Sequence, residues 1–131
     1  MLSTRNTSPV NLSWCFKVLA TRTVLRLMWF FDFVCALLRN LRNNRKDKVS
    51  SCCSDAYSEA LGPHHPFTVR AAAKTAMLAA PNREKLFKII WPEYITEDNQ
   101  YKNLEYVEQL MDPIRKSLWK YYEDHQLTTL P

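Results

Sequence analysis

Residues 57–87 read YSEALGPHHPFTVRAAAKTAMLAAPNREKLF, and this stretch decides the fold because it stops one helix and starts two more. The first stop falls at Leu61-Gly62-Pro63, where glycine and proline punctuate the helical pattern. A new helix begins at His65-Pro66, because the N–H that proline lacks would have had no intrahelical partner in a first turn. His65 is thereby pinned at a helix mouth, where unpaired N–H groups and a partial positive charge face any polar or anionic ligand. The inward face of this helix is expected to be Val69, Ala72, Ala73, Ala76, Met77 and Ala80, and the small residues among them let a backbone or a slender lipid chain come close. Pro81 closes it, and Asn82 is placed to cap a third helix running to about Ile90.

Upstream, the pattern predicts a helix over about Lys17 to Leu41 that is apolar on most of its circumference. Arg22 and Arg26 stand four residues apart on it, so both guanidinium groups leave from one face. Like charges so placed repel by roughly 0.2–0.5 kcal/mol unless an anion sits between them. By spacing alone they read as solvated arginines snorkelling from a helix surface; the sharper reading is a grip on a phosphate carried by a lipid. Asn43 to Ser51 reads as a polar, basic connection, and Cys52 to Leu61 as a short helix with Ala56, Tyr57, Ala60 and Leu61 inward. Beyond the Trp91-Pro92 break, Leu104, Val107, Leu110, Met111, Ile114, Leu118 and Tyr121 mark a terminal helix that Asp112-Pro113 kinks or divides.

Composition narrows the class. The chain has 131 residues, 47% of them hydrophobic, which fits one globular domain. Its single glycine argues against an all-β fold, whose hairpins and bulges need several residues at positive φ, so an all-α fold is expected. The formal charge of +5 is modest. Arg39, Arg42, Arg45, Lys46 and Lys48 form a basic run that reads as a solvated loop, or else as one drawn to an anionic membrane surface. No zinc-finger spacing, RNP-like string or glycine-rich loop accompanies it, so nucleic acid is not an expected partner. The four cysteines have neither C-x-x-C spacing nor the density of a disulfide scaffold. Reduced thiols in a cytosolic protein are expected. The strongest apolar run, Met28 to Leu38, is about half a membrane span and contains Asp32. Residues 1–19 carry Arg5, Lys17 and the sequons at Asn6 and Asn11, lack any acidic residue, and read as an irregular start more than as a transit peptide.

The strings TRTVLRL, AYSEALGPHHPFTVR, AMLAAPNREKLF and YYEDHQLTTLP, in this order and spacing, resemble the glycolipid transfer protein family and its ceramide-1-phosphate branch. The resemblance covers about Ala20 to Pro131. It implies a two-layer, all-helical sandwich that holds one sphingolipid and carries it between membranes without hydrolysis, and without a cofactor. By resemblance, Arg22 and Arg26 fall on the pair that holds the phosphate, and His65 on the histidine that bonds the ceramide amide carbonyl. Glycolipid-carrying relatives have tryptophan at the place of Arg26, so the resemblance implies phosphate rather than sugar. At Phe67 the family commonly has tryptophan. The family's amino-terminal aspartate and lysine have no counterpart here, since residues 1–19 contain no acid. The chain therefore resembles an amino-terminally truncated form, with residues 1–19 an unrelated segment and 20–131 a partial domain.

Phe30, Phe67, Val69, Ala73, Met77 and Trp91 are the candidates for pocket lining or transient membrane contact, Trp91 because tryptophan favours the membrane interface. Adjacent His64 and His65 invite a metal reading, but His125 is the only other histidine and no acid or cysteine cluster completes a ligand set. Cys52, Cys53, Asp55 and His65 do not form an oriented nucleophile, acid and base, so no enzymatic activity is expected. Two rival readings accompany the carrier of ceramide 1-phosphate: a non-transferring lipid-binding or interaction fragment of the same family, and a glycolipid carrier.

Overall fold

A single 35-residue helix, α1 (Pro9–Asn43), is the axis on which the rest is assembled. The computed structural model describes residues 9–129. Among them follow α2 (Val49–Ala60), a 3-10 turn (Gly62–His64), α3 (Phe67–Met77), α4 (Arg83–Ile90) and α5 (Glu97–Asp124), with no strand. The fold is therefore all-α across the described residues. The segment expected to be irregular is helical from Pro9 onward, since proline suits a first turn and neither glycine nor another proline interrupts the residues that follow. Arg5 and the sequon at Asn6 lie outside the described residues.

Helix α1 packs against α2 on one flank and α5 on another. Two clusters hold them. Near the carboxyl end of α1, Leu41, Val49, Cys52, Phe87, Tyr101 and Leu104 join α1, α2, α4 and α5. Along the middle of α1, Leu25 and Met28 meet Tyr122 of α5, flanked by Trp29, Leu118, Trp119 and Leu127. Helix α1 is not buried all round: Leu12, Phe16, Leu19, Leu27 and Phe30 are exposed. At helical spacing these form one stripe on the face turned away from α5.

Polar contacts fix the rotation of α1 against α5. The Asp32 carboxylate accepts from Arg115 Nη1 at 3.1 Å and from Trp119 Nε1 at 3.0 Å. Arg42 pairs with Glu108 at 2.7 Å, and the Tyr122 hydroxyl donates to the Thr21 carbonyl at 2.9 Å. Arg115 also pairs with Asp112, so its pKa is raised, first by that carboxylate and then by Asp32.

Local sequence signals explain most helix ends. Asn82 accepts from the Lys85 amide at 2.9 Å, and Thr96 caps α5 through the Asn99 amide. Helix α2 starts at Val49, three residues earlier than the polar run suggests, because Val49 drops into the core. Pro66 is the N-cap of α3 instead of its first residue. Pro113 neither ends nor divides α5, which runs unbroken through it. Pro113 is exposed, so the carbonyl that loses its helical partner there can turn to water.

The carboxyl end of α1 is closed by a residue from far along the chain. Arg83 donates to the Leu41 carbonyl at 2.7 Å, to Asn44 at 2.8 Å and to Asp47 at 3.0 Å. These are carbonyls that the end of α1 and its loop leave without helical partners. Replacing Arg83 with methionine keeps the stem and removes the donors. The substitution is expected to lower stability by about 2 kcal/mol, read from urea unfolding. A midpoint unchanged from the parent protein would show that these carbonyls need no internal donor.

Candidate functional site

The 3-10 turn and the first half of α1 enclose a cleft of about 500 Å³, lined by Arg22, Leu25, Arg26 and Trp29 on one side and by Leu61, His64 and His65 on the other. The three polar residues singled out from the sequence, Arg22, Arg26 and His65, thus share one cleft. Arg22 is half-buried, Arg26 exposed, and neither makes an ion pair among the described residues. The other two described arginines of α1 behave differently. Arg39 meets Glu59 and Arg42 meets Glu108. Among the described residues Arg22 and Arg26 thus have no carboxylate partner, and an arginine fork suits phosphate or carboxylate oxygens.

His64 and His65 are adjacent but differently engaged. The His64 ring stacks flat on Trp29, with centroids 4.0 Å apart and planes 4° from parallel. Burial pushes its pKa down and the neighbouring His65 adds to the effect, while Asp32 opposes both. His65, in extended backbone, places Nδ1 2.6 Å from the Tyr57 hydroxyl. Gly62 lets the turn come this close to α2. A Cβ there would sit 3.3 Å from the Tyr57 carbonyl oxygen, which already accepts from the Leu61 amide and has little room to yield.

The remaining candidates do not line this cleft. Phe30, Phe67 and Val69 are exposed, and Ala73 and Met77 are partly buried. No residue of α3 is fully buried, so the expected inward face of that helix meets no complete partner surface among the described residues. Trp91 packs edge-on against Phe87, centroids 5.1 Å apart, and lines a separate cleft of about 580 Å³ with Phe87 and Tyr101. Its indole is thus part of core and rim packing. Trp29, His64, Leu61 and Tyr57 were not among the sequence candidates. One signal was available: Trp29 follows Arg22 and Arg26 at seven and three residues, on the same helical face.

Other chemistry finds no support in the geometry. No three His, Cys, Asp or Glu side chains gather as a metal site among the described residues. Cys35, Cys52 and Cys53 are free thiols whose pKa values burial pushes up, which disfavours the nucleophilic thiolate. No described helix is long and apolar enough to cross a membrane.

A long arginine-bearing helix crossed by a short histidine turn, in an all-helical frame, defines the class: residues 10–91 match the model of the glycolipid transfer protein family, and the chain belongs to that family. Within it, the chain is similar to the ceramide-1-phosphate transfer protein of Danio rerio, with 41% identity over 70 residues that cover 53% of this chain and 33% of the relative. Its fold matches crystal structures of human ceramide-1-phosphate transfer protein bound to 12:0 ceramide-1-phosphate (TM-score 0.77, 27% identity) and of the mouse protein in its apo form (0.78, 28%). Each match covers 85% of this chain and 53% of that structure, so the chain spans about half the length of the proteins it matches.

The lowered pKa of His64 sets a pH dependence. Its folded-state value lies below the ordinary 6.5, so the unfolded chain binds the proton more tightly. The stability this group contributes is complete above about pH 6.5 and is lost as the pH falls through the lower, folded value. Urea midpoints measured from pH 8 to pH 5 should fall on the acid side. In His64→Phe, which keeps a ring on Trp29 and removes the titration, that fall should be smaller. Equal slopes in both proteins would contradict the assignment.

Proposed function

We propose that this chain binds a phosphosphingolipid of the ceramide 1-phosphate type and carries it between membranes without changing it chemically. The observation that carries the reading is the cleft itself. Two guanidinium groups one helical turn apart, without carboxylate partners among the described residues, face His65 across it, and the apolar stripe of α1 begins at its edge. Arg22 and Arg26 replace water around the phosphate, and His65 donates to the amide carbonyl. Arg26, standing where glycolipid carriers have tryptophan by resemblance, disfavours a sugar headgroup. The similarity to ceramide-1-phosphate transfer proteins supports the same headgroup.

The hydrocarbon chains lie along exposed apolar residues, with Phe30 on α1 and Phe67, Val69, Ala73 and Met77 on α3 as the candidate contacts. Covering them gains about 0.8 kcal/mol per CH₂ against water but almost nothing against a bilayer interior. That near balance lets a carrier both load and unload. The setting is the cytosol, with transient contact at membrane surfaces.

A second reading has its own support. Exposed apolar residues on α1 and on α5 (Val107, Leu110, Ile114), in a chain about half the length of its structural relatives, also fit a form that binds lipid without transferring it. Size-exclusion chromatography separates the two. A monomer stabilised by ceramide 1-phosphate supports the carrier, and lipid-independent self-association supports the fragment.

Arg26→Leu is expected to reduce extraction of ceramide 1-phosphate from phosphatidylcholine vesicles at least tenfold while helix content by circular dichroism stays unchanged. Extraction at the parent rate would remove Arg26 from the headgroup site.

A further inference from the structure

Tyr57 is 3% exposed, so its hydroxyl has little access to bulk water and favours an acceptor inside the protein. Among the described residues the hydroxyl has one partner, His65 Nδ1 at 2.6 Å. The hydroxyl is satisfied as a donor only if Nδ1 is bare, and a neutral imidazole bare at Nδ1 carries its hydrogen on Nε2. Nε2 meets no partner among the described residues, and the ring lines the cleft beside Arg22 and Arg26. We propose that Tyr57 is a positioning residue that fixes His65 as the Nε2–H tautomer, so that the cleft offers a neutral N–H donor and selects a ligand with an acceptor oxygen at that point.

The arrangement is held from several sides. The His65 amide donates to the Gly62 carbonyl, and Gly62 lies against the Tyr57 backbone, so α2, the turn and the imidazole are tied together. His64 cannot substitute, because its ring is committed to the face of Trp29. The pairing has the logic of an outer partner orienting a functional histidine, here with a phenol in place of a carboxylate. Unlike a carboxylate, the phenol adds no charge beside the two arginines.

The consequence for ligands rests on the phosphosphingolipid reading: an N-acyl carbonyl is rewarded, and a sphingoid phosphate lacking it is not. Two measurements test the proposal separately. Two-bond nitrogen–proton correlation spectra of the ¹⁵N-labelled full chain report the His65 tautomer without any lipid, with His65→Leu to assign the signals. A protonated Nε2 and bare Nδ1 in the parent protein, lost or mixed in Tyr57→Phe, is the expected result. A protonated Nδ1 in the parent protein would overturn the proposal, whether or not the variant folds.

The second measurement is vesicle binding. Tyr57→Phe should weaken binding of ceramide 1-phosphate roughly tenfold and leave sphingosine 1-phosphate unchanged. Equal loss for both lipids, or for neither, would contradict a selective role. A parent protein that binds neither lipid, yet shows the Nε2–H tautomer, would end the phosphosphingolipid reading and the selectivity with it, and leave the tautomer assignment standing.

Discussion

The rotation of α1 about its own axis is the constraint on which the site depends. A helix presents different side chains every 100°, so a clamp that fixes which residues face α5 also fixes which face the histidine turn. Asp32 supplies that clamp by accepting from both Arg115 and Trp119, with Arg42–Glu108 and Tyr122–Thr21 holding the two ends. With those contacts made, Leu25 and Met28 turn inward, while Arg22, Arg26 and Trp29 point toward the turn. The apolar stripe from Leu12 to Phe30 is left on a third face. The arginine-lined cleft and the exposed apolar stripe are thus two sides of one helix.

On the opposite wall, the tight approach of the 3-10 turn to α2 is possible because residue 62 has no side chain. Pro63 and Pro66 then stiffen the path between helices, so that His64 and His65 leave a short segment in different directions. One ring becomes a stacked wall on Trp29, and the other meets the Tyr57 hydroxyl through Nδ1. The cleft therefore sets two arginines, without ion pairs among the described residues, beside an imidazole held by a phenol. That combination suits a headgroup with one anionic end and one amide end.

Much of this was legible in the sequence where the signal is local. The Leu61-Gly62-Pro63 stop, the Asn82 cap and the four-residue spacing of Arg22 and Arg26 need only neighbouring residues, and the structure places each where the pattern implies. What was not legible is non-local. Asp32 reads as an interruption of an apolar run, because its partners lie 83 and 87 residues away. Arg83 carries no local signal of its role, because its main partners are backbone carbonyls far along the chain, which have no sequence signature. The alanine-rich face of α3 carries the periodicity of a buried helix, yet the described residues supply no surface to cover it. Periodicity records a preference for burial and says nothing about what provides it.

The proposed occupant of the cleft between α1 and the histidine turn is a phosphosphingolipid. Native mass spectrometry of the purified chain after incubation with ceramide 1-phosphate vesicles tests it most directly. The expected result is a one-to-one lipid adduct that survives desolvation and is not displaced by an equal amount of glucosylceramide. A bare protein mass under the same conditions, or an adduct formed equally well with the uncharged glycolipid, would contradict it.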